Sequence, residues 1–598
     1  MDEILELLRA KPPYKVKQGS DDFMENRDIV HGKSLKPTER VKYKYSLKKY
    51  EMPTELKTIF ERPHQDVLRR LSTQLNANNY SKFFSELLYA EEYKTNEDLK
   101  RYDRQKVKLV KKSGDYFKMK IHKRALAEKR PSVLPGDYIF VVKCGDKNAE
   151  AYQGFVHEVL KSSIDLKFDE SFSQEVYNSN VRFDVRFTFN RVSMRRMHQA
   201  VRNPKVEFSR LFPQDHQNFS ANDVDFQNIK FYTILNYYQR RAVAIIKSET
   251  RQPWPFIVFG KSSTIVEAMW QLLDNNPTTR ILACAASNAA ANWLLKKLSK
   301  RLPPDEMVRI NAVSQEPEKI EREFHCYCMI DKCGNYQLPN MSYIEKHRVV
   351  VTTCITAGTV YSLGTKSYTH IFIDEAGQAM EPEIVTALQN ASKNTRIILA
   401  GDPKQLGPLV RSSIAKELGL GQSLIERLEK SEFYDFGDTS IYGDYPIMFW
   451  NVEGKEDREG QSPSYFNARE AGYVLEVVVK LQKQNVKPKE IGIVTPYVKQ
   501  VEKIKKLFIK RNISGVDIGT VEKFQGQERR VIIISTVRTK NVEFLGEPRR
   551  FCVAVTRAQA LLVVIGDEKA LSKKELWKQW LKEVKENGGF SNKVLPNK

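Results

Sequence analysis

A chain of 598 residues with 41% apolar, 10% aromatic and 29% charged positions can bury several cores, which excludes a wholly disordered protein and allows about three to five domains. Its 97 Lys and Arg against 74 Asp and Glu leave a net charge of +23, an excess that suits a polyanionic partner, nucleic acid first of all. No run of about 18 apolar residues occurs, so no membrane-spanning helix is expected, and seven cysteines, an odd count, read as free thiols rather than a disulfide framework.

The opening stretch MDEILELLRAKPPYKVK mixes both charge signs without an apolar centre, so neither a secretory nor a transit signal is expected, and the few, odd-numbered cysteines point to a reducing compartment. Residues 1–104 read as helical and charged; SKFFSELLYAEEYKTNEDLKRYD has apolar spacing near 3.6 and ends on charges. Over 105–195 the texture changes to VKLVKK, YFKMKI, DYIFVVK, FVHEVL, SIDLKF and VRFDVRFTF, short strands that suggest a small β-barrel. Basic residues are densest at 101–130, 12 against 3 acidic, with Tyr116 and Phe117 interleaved, a pattern expected to add phosphate contacts beside the barrel. Residues 196–224 read as a linker. Apolar runs then alternate with helical patterns: PFIVFG, ILACAAS, VVVTTC, HIFIDEA and RIILAGD, followed by IGIVTPY, VIIISTV and LLVVIGD. Buried parallel strands produce such runs, and two doubly wound α/β domains are expected over 225–430 and 431–598. His325, Cys326, Cys328 and Cys333 cluster, but C-x-C-x₄-C without a second pair reads as loop thiols rather than a zinc site.

The ends of such strands line the ligand crevice. Asp374 and Glu375 follow one strand, a carboxylate pair able to hold Mg²⁺ through water and to orient a water on a terminal phosphate. Asp402 and Gln405 sit at the tip after the next strand, in GDPKQLGP, where Gln suits the sensing of a phosphate or a water. In the second α/β region Gln525-Gly526-Gln527-Glu528 precedes one strand and Arg557 precedes another; an Arg reaching a γ-phosphate across a cleft stabilises transition-state charge.

This ordered set resembles superfamily 1 helicases of the Upf-one-like group, and most of all the Armitage / Moloney-leukaemia-virus-ten-like RNA helicases. The likeness runs over about 45–590 and is carried by SLKKYEMPTEL, LNYYQRRAV, ILACAASNAAANWLL, VVVTTCITAG, IFIDEAGQAMEPE, LAGDPKQLGP, IGIVTPYVKQVEKI, VEKFQGQE and VAVTRAQALL. It implies two RecA-like domains with ATP and Mg²⁺ between them and single-stranded RNA across their top. On that pattern Gln239 would read adenine. Gly260, Lys261 and Ser262 would hold phosphate, with Ser262 and Asp374 on Mg²⁺ and Glu375 on the attacking water. Gln405 would sense the γ-phosphate, Glu528 would take the ribose and Arg557 would be the arginine finger. Ser287, Asn288, Thr353, Pro496, Tyr497, Thr520 and Val521 would lie along the RNA backbone. The family further implies a monomer travelling 5′ to 3′, partnered with Argonaute/Piwi-type silencing proteins in cytoplasmic ribonucleoprotein granules.

Two departures stand out. The phosphate loop G-x-x-x-x-G-K-[ST] is reduced to Gly260-Lys261-Ser262, about five residues short of that motif. After SEFYD an Asn-Tyr-Arg-Ser-His stretch, bearing a second phosphate-binding Arg in the family, is missing. Ala286 also stands where the family usually has Pro. Because the other nucleotide-site positions are intact, a truncated or alternatively spliced helicase is expected rather than a decayed one. An ATPase-impaired RNA-binding scaffold and a DNA helicase are the alternatives.

Overall fold

Alternating apolar and polar residues after position 104 build strands that send every second side chain into one shared core. The computed structural model describes residues 27–32, 42–112, 116–120, 137–146, 150–160, 163–178, 180–213, 228–233, 235, 237–248, 255–259, 262–313, 315, 320–331, 334–365, 367–430, 447–458, 464–483, 486–525, 527–540, 542 and 547–592. Its first sheet contains β1 (Ile29–Val30), β2 (Arg104–Val107), β3 (Val110–Lys111), β4 (Tyr116–Lys120), β5 (Tyr138–Lys143), β6 (Ala151–Leu160), β7 (Ser163–Lys167) and β8 (Phe183–Thr188). The order is β2-β8-β5-β6-β7-β4-β3, with β1 added parallel to β6. The two edge strands, β2 and β3, are joined through Lys108 and Leu109 alone, so the sheet curls on itself. Phe117, Ile139, Val156, Leu166, Phe172 and Phe183 fill its inside. Gly154 has no room for a side chain, because a Cβ there would stand 2.4 Å from the Phe168 ring.

The aromatic–basic reading of this region needs correction at Phe117. It points inward from β4 and is fully buried, so it offers no face to a base. Tyr116 is half-buried with Lys167 over its ring at 5.2 Å. Lys112 is paired with Asp165, and Lys111 Nζ donates to Ser173 Oγ at 2.5 Å. Residues 121–130 of the basic stretch lie outside the described residues.

The N-terminal part contains helices Thr54–Phe60, His64–Leu71 and Tyr80–Leu99. Residues 196–224 are not simply a linker. Val192–Arg202 is a helix whose Met197, Ala200 and Val201 are buried against Tyr80–Leu99 and the first α/β domain. Arg195 on this helix and Arg191 at its N-cap hold a stretch of chain across it: Arg195 Nε donates to Lys48 O at 2.8 Å and Arg191 Nη2 to Tyr50 O at 2.6 Å. Arg210 is buried and donates to Thr395 O at 2.9 Å. Residues 214–227 lie outside the described residues.

The Ile- and Val-rich runs form two parallel sheets. The first has β9 (Phe256–Phe259), β10 (Ile281–Ala285), β11 (Met307–Arg309), β12 (Val349–Thr353), β13 (His370–Asp374) and β14 (Arg396–Gly401), in order β11-β12-β10-β13-β14-β9. Helices Tyr237–Lys247, Ser262–Asn275 and Asn288–Leu298 cover one face. Cys354–Leu363, Glu381–Leu388 and the N-terminal helices cover the other, which makes the N-terminal region part of this domain's core. The second sheet has β15 (Ile447–Asn451), β18 (Ile491–Val494), β19 (Asp517–Gly519), β20 (Arg529–Ser535), β21 (Ala558–Gly566) and β22 (Phe590–Asn592), in order β19-β18-β20-β21-β15-β22. Ala468–Lys483 and Val498–Lys510 cover one face, Pro548–Val555 and Glu575–Glu586 the other. A small hairpin, β16 (Asp457–Arg458) with β17 (Tyr465–Phe466), stands beside it. With all strands of a sheet parallel, their C-terminal ends gather on one edge, where such folds bind ligands. Among the described residues no helix is long and apolar enough to cross a membrane.

Candidate nucleotide and nucleic-acid site

At the C-terminal edge of the first sheet, β13 ends on Asp374 and β14 on Gly401. The two chain ends approach so closely that a Cβ at Gly377 would lie 2.8 Å from Asp402 O, and one at Gly401 would lie 2.9 Å from Gly377 N. Glu375 takes the left-handed conformation at φ 54, a costly state for a residue with a side chain. Its N–H donates to Asp374 Oδ1 at 3.0 Å, and the turn Ala376–Gln378 follows. Ser262 Oγ, at the start of Ser262–Asn275, donates to the same Asp374 Oδ1 at 3.0 Å. Asp374 Oδ2 is buried without a hydrogen-bond partner among the described residues. Burial and the adjacent Glu375 charge push the Asp374 carboxyl well above its usual range. Burial also raises Glu375, against the pull of Arg557 and a hydrogen bond donated by Gln378. Ala286 N–H donates to Asp374 O at 3.3 Å, a bond that a proline at this position could not make.

Arg557 arrives from the second domain. It is buried at the N-terminal end of β21, with Nε donating to Val553 O at 3.0 Å and Nη2 to Thr556 Oγ1 at 2.7 Å. The domains are tied together nearby. Arg549 Nη2 donates to Glu426 Oε2 at 2.9 Å, and Leu406 packs against a core of the second domain. Asp374, Glu375, Ser262 and Arg557 are therefore brought to one cleft. Gln405 is on its rim with Nε2 donating to Asp402 Oδ2 at 2.9 Å. Glu528 precedes β20 at the same edge of the second sheet as Arg557, accepts from Gln559 Nε2 at 3.2 Å and lines a cavity of about 540 Å³ with Asp517 and Arg529. Gln239 is half-buried on Tyr237–Lys247, after the exposed Tyr237 and Tyr238. Gly260 and Lys261 lie outside the described residues, as do Gly526 and 431–446, where the missing Arg-bearing stretch would join. Two residues separate the end of β9 at Phe259 from the start of the helix at Ser262.

The residues assigned to an RNA path occupy the C-terminal edges of both sheets. Ser287 caps its helix by accepting from Ala290 N at 3.1 Å, and Thr353 caps another by accepting from Thr356 N at 3.2 Å. Asn288 Oδ1 accepts from Nη2 of the buried Arg309 at 3.1 Å, a support that no local sequence pattern announces. Pro496 and Tyr497 follow β18, and Thr520 and Val521 follow the neighbouring β19. Pro496 is buried and Val521 belongs to a core, so its side chain faces away from any ligand. His325, Cys326 and Cys328 turn to local partners: His325 Nε2 lies 3.1 Å from Ile320 O, Cys326 Sγ 3.4 Å from Glu323 O and Cys328 Sγ 3.5 Å from Asn311 Nδ2. Cys333 lies outside the described residues.

Comparison with known proteins agrees with this layout. One family model, described as the beta-barrel domain of helicase MOV-10, matches residues 102–187, and two described as AAA domain match 335–413 and 416–569. The chain is similar to helicase mov-10-B.1 of Danio rerio, with 34% identity over 87% of this chain and 60% of that protein. It is 33% identical to the Gallus gallus helicase MOV-10, over 87% of this chain and 64% of that one. With the Homo sapiens RNA helicase Mov10l1 it shares 30% identity over 99% of this chain and 60% of the relative. It thus spans 60–64% of the length of these relatives. A curled β-sheet of the MOV-10 type followed by two RecA-like domains, in a chain alignable along most of its length with such proteins, makes this protein a member of the MOV-10-like family of helicases.

Proposed function

We propose that the protein is an ATP-dependent RNA helicase or translocase acting on single-stranded RNA. The observation that carries this reading is the electrostatic meeting of Glu375, after a strand of the first domain, with Arg557 from the second. A water-orienting carboxylate and a cation for γ-phosphate charge, supplied by opposite walls of a cleft, are what hydrolysis coupled to domain movement requires. Glu375 orients the attacking water and Arg557 neutralises charge that develops on the transferred phosphoryl oxygens. Gln405 reports on the γ-phosphate, Gln239 takes the adenine and Glu528 the ribose. Gly260 and Lys261 serve the phosphates.

The donor set also fits Mg²⁺. One buried carboxylate with an unpartnered oxygen, next to one hydroxyl, suits an ion that keeps several waters and binds phosphate oxygens. Ser262 and Asp374 would hold it, and it would supply neutralising charge to the phosphates. RNA runs over Ser287, Asn288 and Thr353 in the first domain and Pro496, Tyr497, Thr520 and the Val521 backbone in the second. Family likeness extends the proposal to small-RNA silencing, with Argonaute/Piwi-type partners in cytoplasmic ribonucleoprotein granules and the chain as a monomer. Steady-state ATP hydrolysis with and without single-stranded RNA tests the core of this reading; no RNA-stimulated turnover would reject it. Competition between RNA and DNA of equal length separates it from a DNA helicase, since the 2′-OH permits discrimination.

One observation favours a second reading, an RNA-binding scaffold with impaired ATPase activity. Two residues between β9 and the Ser262 helix leave little chain to wrap a β-phosphate, and a helix N-terminus alone contributes only about 0.3–2 kcal/mol towards an anion. Titration with a fluorescent ATP analogue decides: micromolar affinity removes this reading.

A further inference from the structure

Helix Pro548–Val555 of the second domain carries an arginine near each end: Arg549 is its second residue, and Arg557 lies two residues past its last. Arg549 crosses to the first domain. Its Nη2 donates to Glu426 Oε2 at 2.9 Å, on helix Leu424–Glu429, and Lys430 Nζ donates to the other Glu426 oxygen at 3.0 Å. The second arm of the guanidinium fills the space beside Gly407, where a Cβ would stand 2.2 Å from Nη1. Gly407 is two residues past Gln405 in the loop that leaves β14. That loop is folded on itself, with Lys404 N donating to Asp402 Oδ1 at 2.9 Å and Gln405 Nε2 to Asp402 Oδ2 at 2.9 Å. Cys552, midway along helix Pro548–Val555, is within electrostatic reach of Asp402, Lys404 and Arg557.

These contacts close a ring around the cleft. The turn after Glu375 packs on Asp402, since a Cβ at Gly377 would lie 2.8 Å from Asp402 O. The loop runs from Asp402 to Gly407 and meets Arg549 there. A helix about 12 Å long leads from Arg549 towards Arg557, whose charge acts back on Glu375. An ion pair with side chains 33% and 14% exposed adds little to stability. Its geometry is the informative part. A planar fork with one arm on a carboxylate and the other against a glycine fixes position as well as charge. Two turns of helix are stiff, so a displacement of the loop at Gly407 is carried to Arg557.

We propose that Arg549 is a positioning residue that couples the loop bearing Gln405 to Arg557, so that a γ-phosphate met by Gln405 in the first domain sets the place of Arg557 from the second. The inference rests on the proposed ATP hydrolysis. It is tested on the full chain with two variants that reach the same contact from opposite sides. Arg549→Ala removes the guanidinium. Gly407→Ala keeps both charges but takes the space of Nη1, and since Gly407 is not in the left-handed region its backbone accepts alanine. Each should lower RNA-stimulated turnover roughly tenfold while ATP-analogue affinity stays within about threefold. The double variant should be no slower than Arg549→Ala alone, because both changes act through one contact. Amide hydrogen exchange over 402–409, in the domain opposite Arg549, should quicken several-fold in Arg549→Ala, which a role confined to its own domain would not produce. Turnover in Arg549→Ala like that of wild type overturns the coupling and leaves the proposed function standing. So does slowed turnover with unchanged exchange over 402–409, or a double variant slowed by the product of the two single losses. A wild-type chain with no RNA-stimulated turnover overturns both the coupling and the proposed function.

Discussion

Each α/β domain bends its chain just after a central strand with a non-glycine residue in the left-handed region, Glu375 after β13 and Val537 after β20. Their surroundings differ. Beside Glu375 the neighbouring carboxylate keeps one buried oxygen without a partner, and two acids share a site that burial makes unfavourable for charge. Beside Val537 the buried acid Glu470 receives Ser535 Oγ and Val537 N on one oxygen and Asn467 Nδ2, at 3.1 Å, on the other. A strained turn beside an acid with an unmatched buried oxygen is a place kept for a ligand; a strained turn whose buried acid is hydrogen-bonded on both oxygens is scaffold that aims a side chain.

The sharpest way to break this contrast is at Glu375. Glu375→Gln keeps shape and burial but loses the group that orients water, so turnover should fall by roughly 10²–10⁴ while ATP-analogue affinity stays within about twofold. Equal turnover in the variant would assign the hydrolysis elsewhere and remove the functional side of the comparison. On the scaffold side, Glu470→Ala leaves Val537 N–H and Ser535 O–H without their buried acceptor. It should cost about 3 kcal/mol in urea unfolding, and a loss below about 1 kcal/mol would show that the network does not hold the turn.

The next effect in size concerns the phosphate loop. Inserting Pro-Pro-Gly-Thr-Gly between Gly260 and Lys261 restores the length that lets backbone amides curl round a β-phosphate, and ATP-analogue affinity should rise at least about tenfold. Unchanged affinity would mean that the two-residue connection from Phe259 to Ser262 is not what limits binding.

How much of this was legible in the sequence follows from the range of the forces involved. Parallel strands buried on both faces leave unbroken runs such as HIFID and RIILAG, and carboxylates directly after such a run mark the ligand edge, so Asp374 and Glu375 were visible. The Ser262–Asp374 bond was not, because it depends on β9 and β13 flanking β14, a pairing set over more than a hundred residues. β1 is two residues long, too short to carry any pattern. The Val192–Arg202 helix was masked as linker by arginines whose partners are backbone carbonyls 140 or more positions away. Nothing local to Glu470 or Glu91 signals burial, yet both are buried with backbone N–H donors, Glu470 accepting from Val537 and Glu91 from Arg411 and Ser412. Val537 gave no signal, since nothing local favours a β-branched residue at positive φ.

The smallest expected effect is on stability at Asp374, and it tests the contrast from the opposite direction. Asn in place of Asp keeps an oxygen to accept from Ser262 Oγ and Glu375 N, while it removes a buried charge from beside Glu375. An acid whose folded-state pKa is raised adds stability that is complete below its unfolded value near pH 4 and is lost as pH rises through the folded value. Wild type should therefore be at its best, relative to Asp374→Asn, in acid. At neutral pH the variant should be the more stable by up to about 1 kcal/mol, with turnover lost, and the gap should close as pH falls towards about 4. Burial raises the Glu470 carboxyl to about 8 as well, but Glu470→Ala strands buried donors at any pH, and that loss outweighs the relief. A stability loss at neutral pH in Asp374→Asn, comparable to that in Glu470→Ala, would make both acids structural and erase the distinction between the two turns.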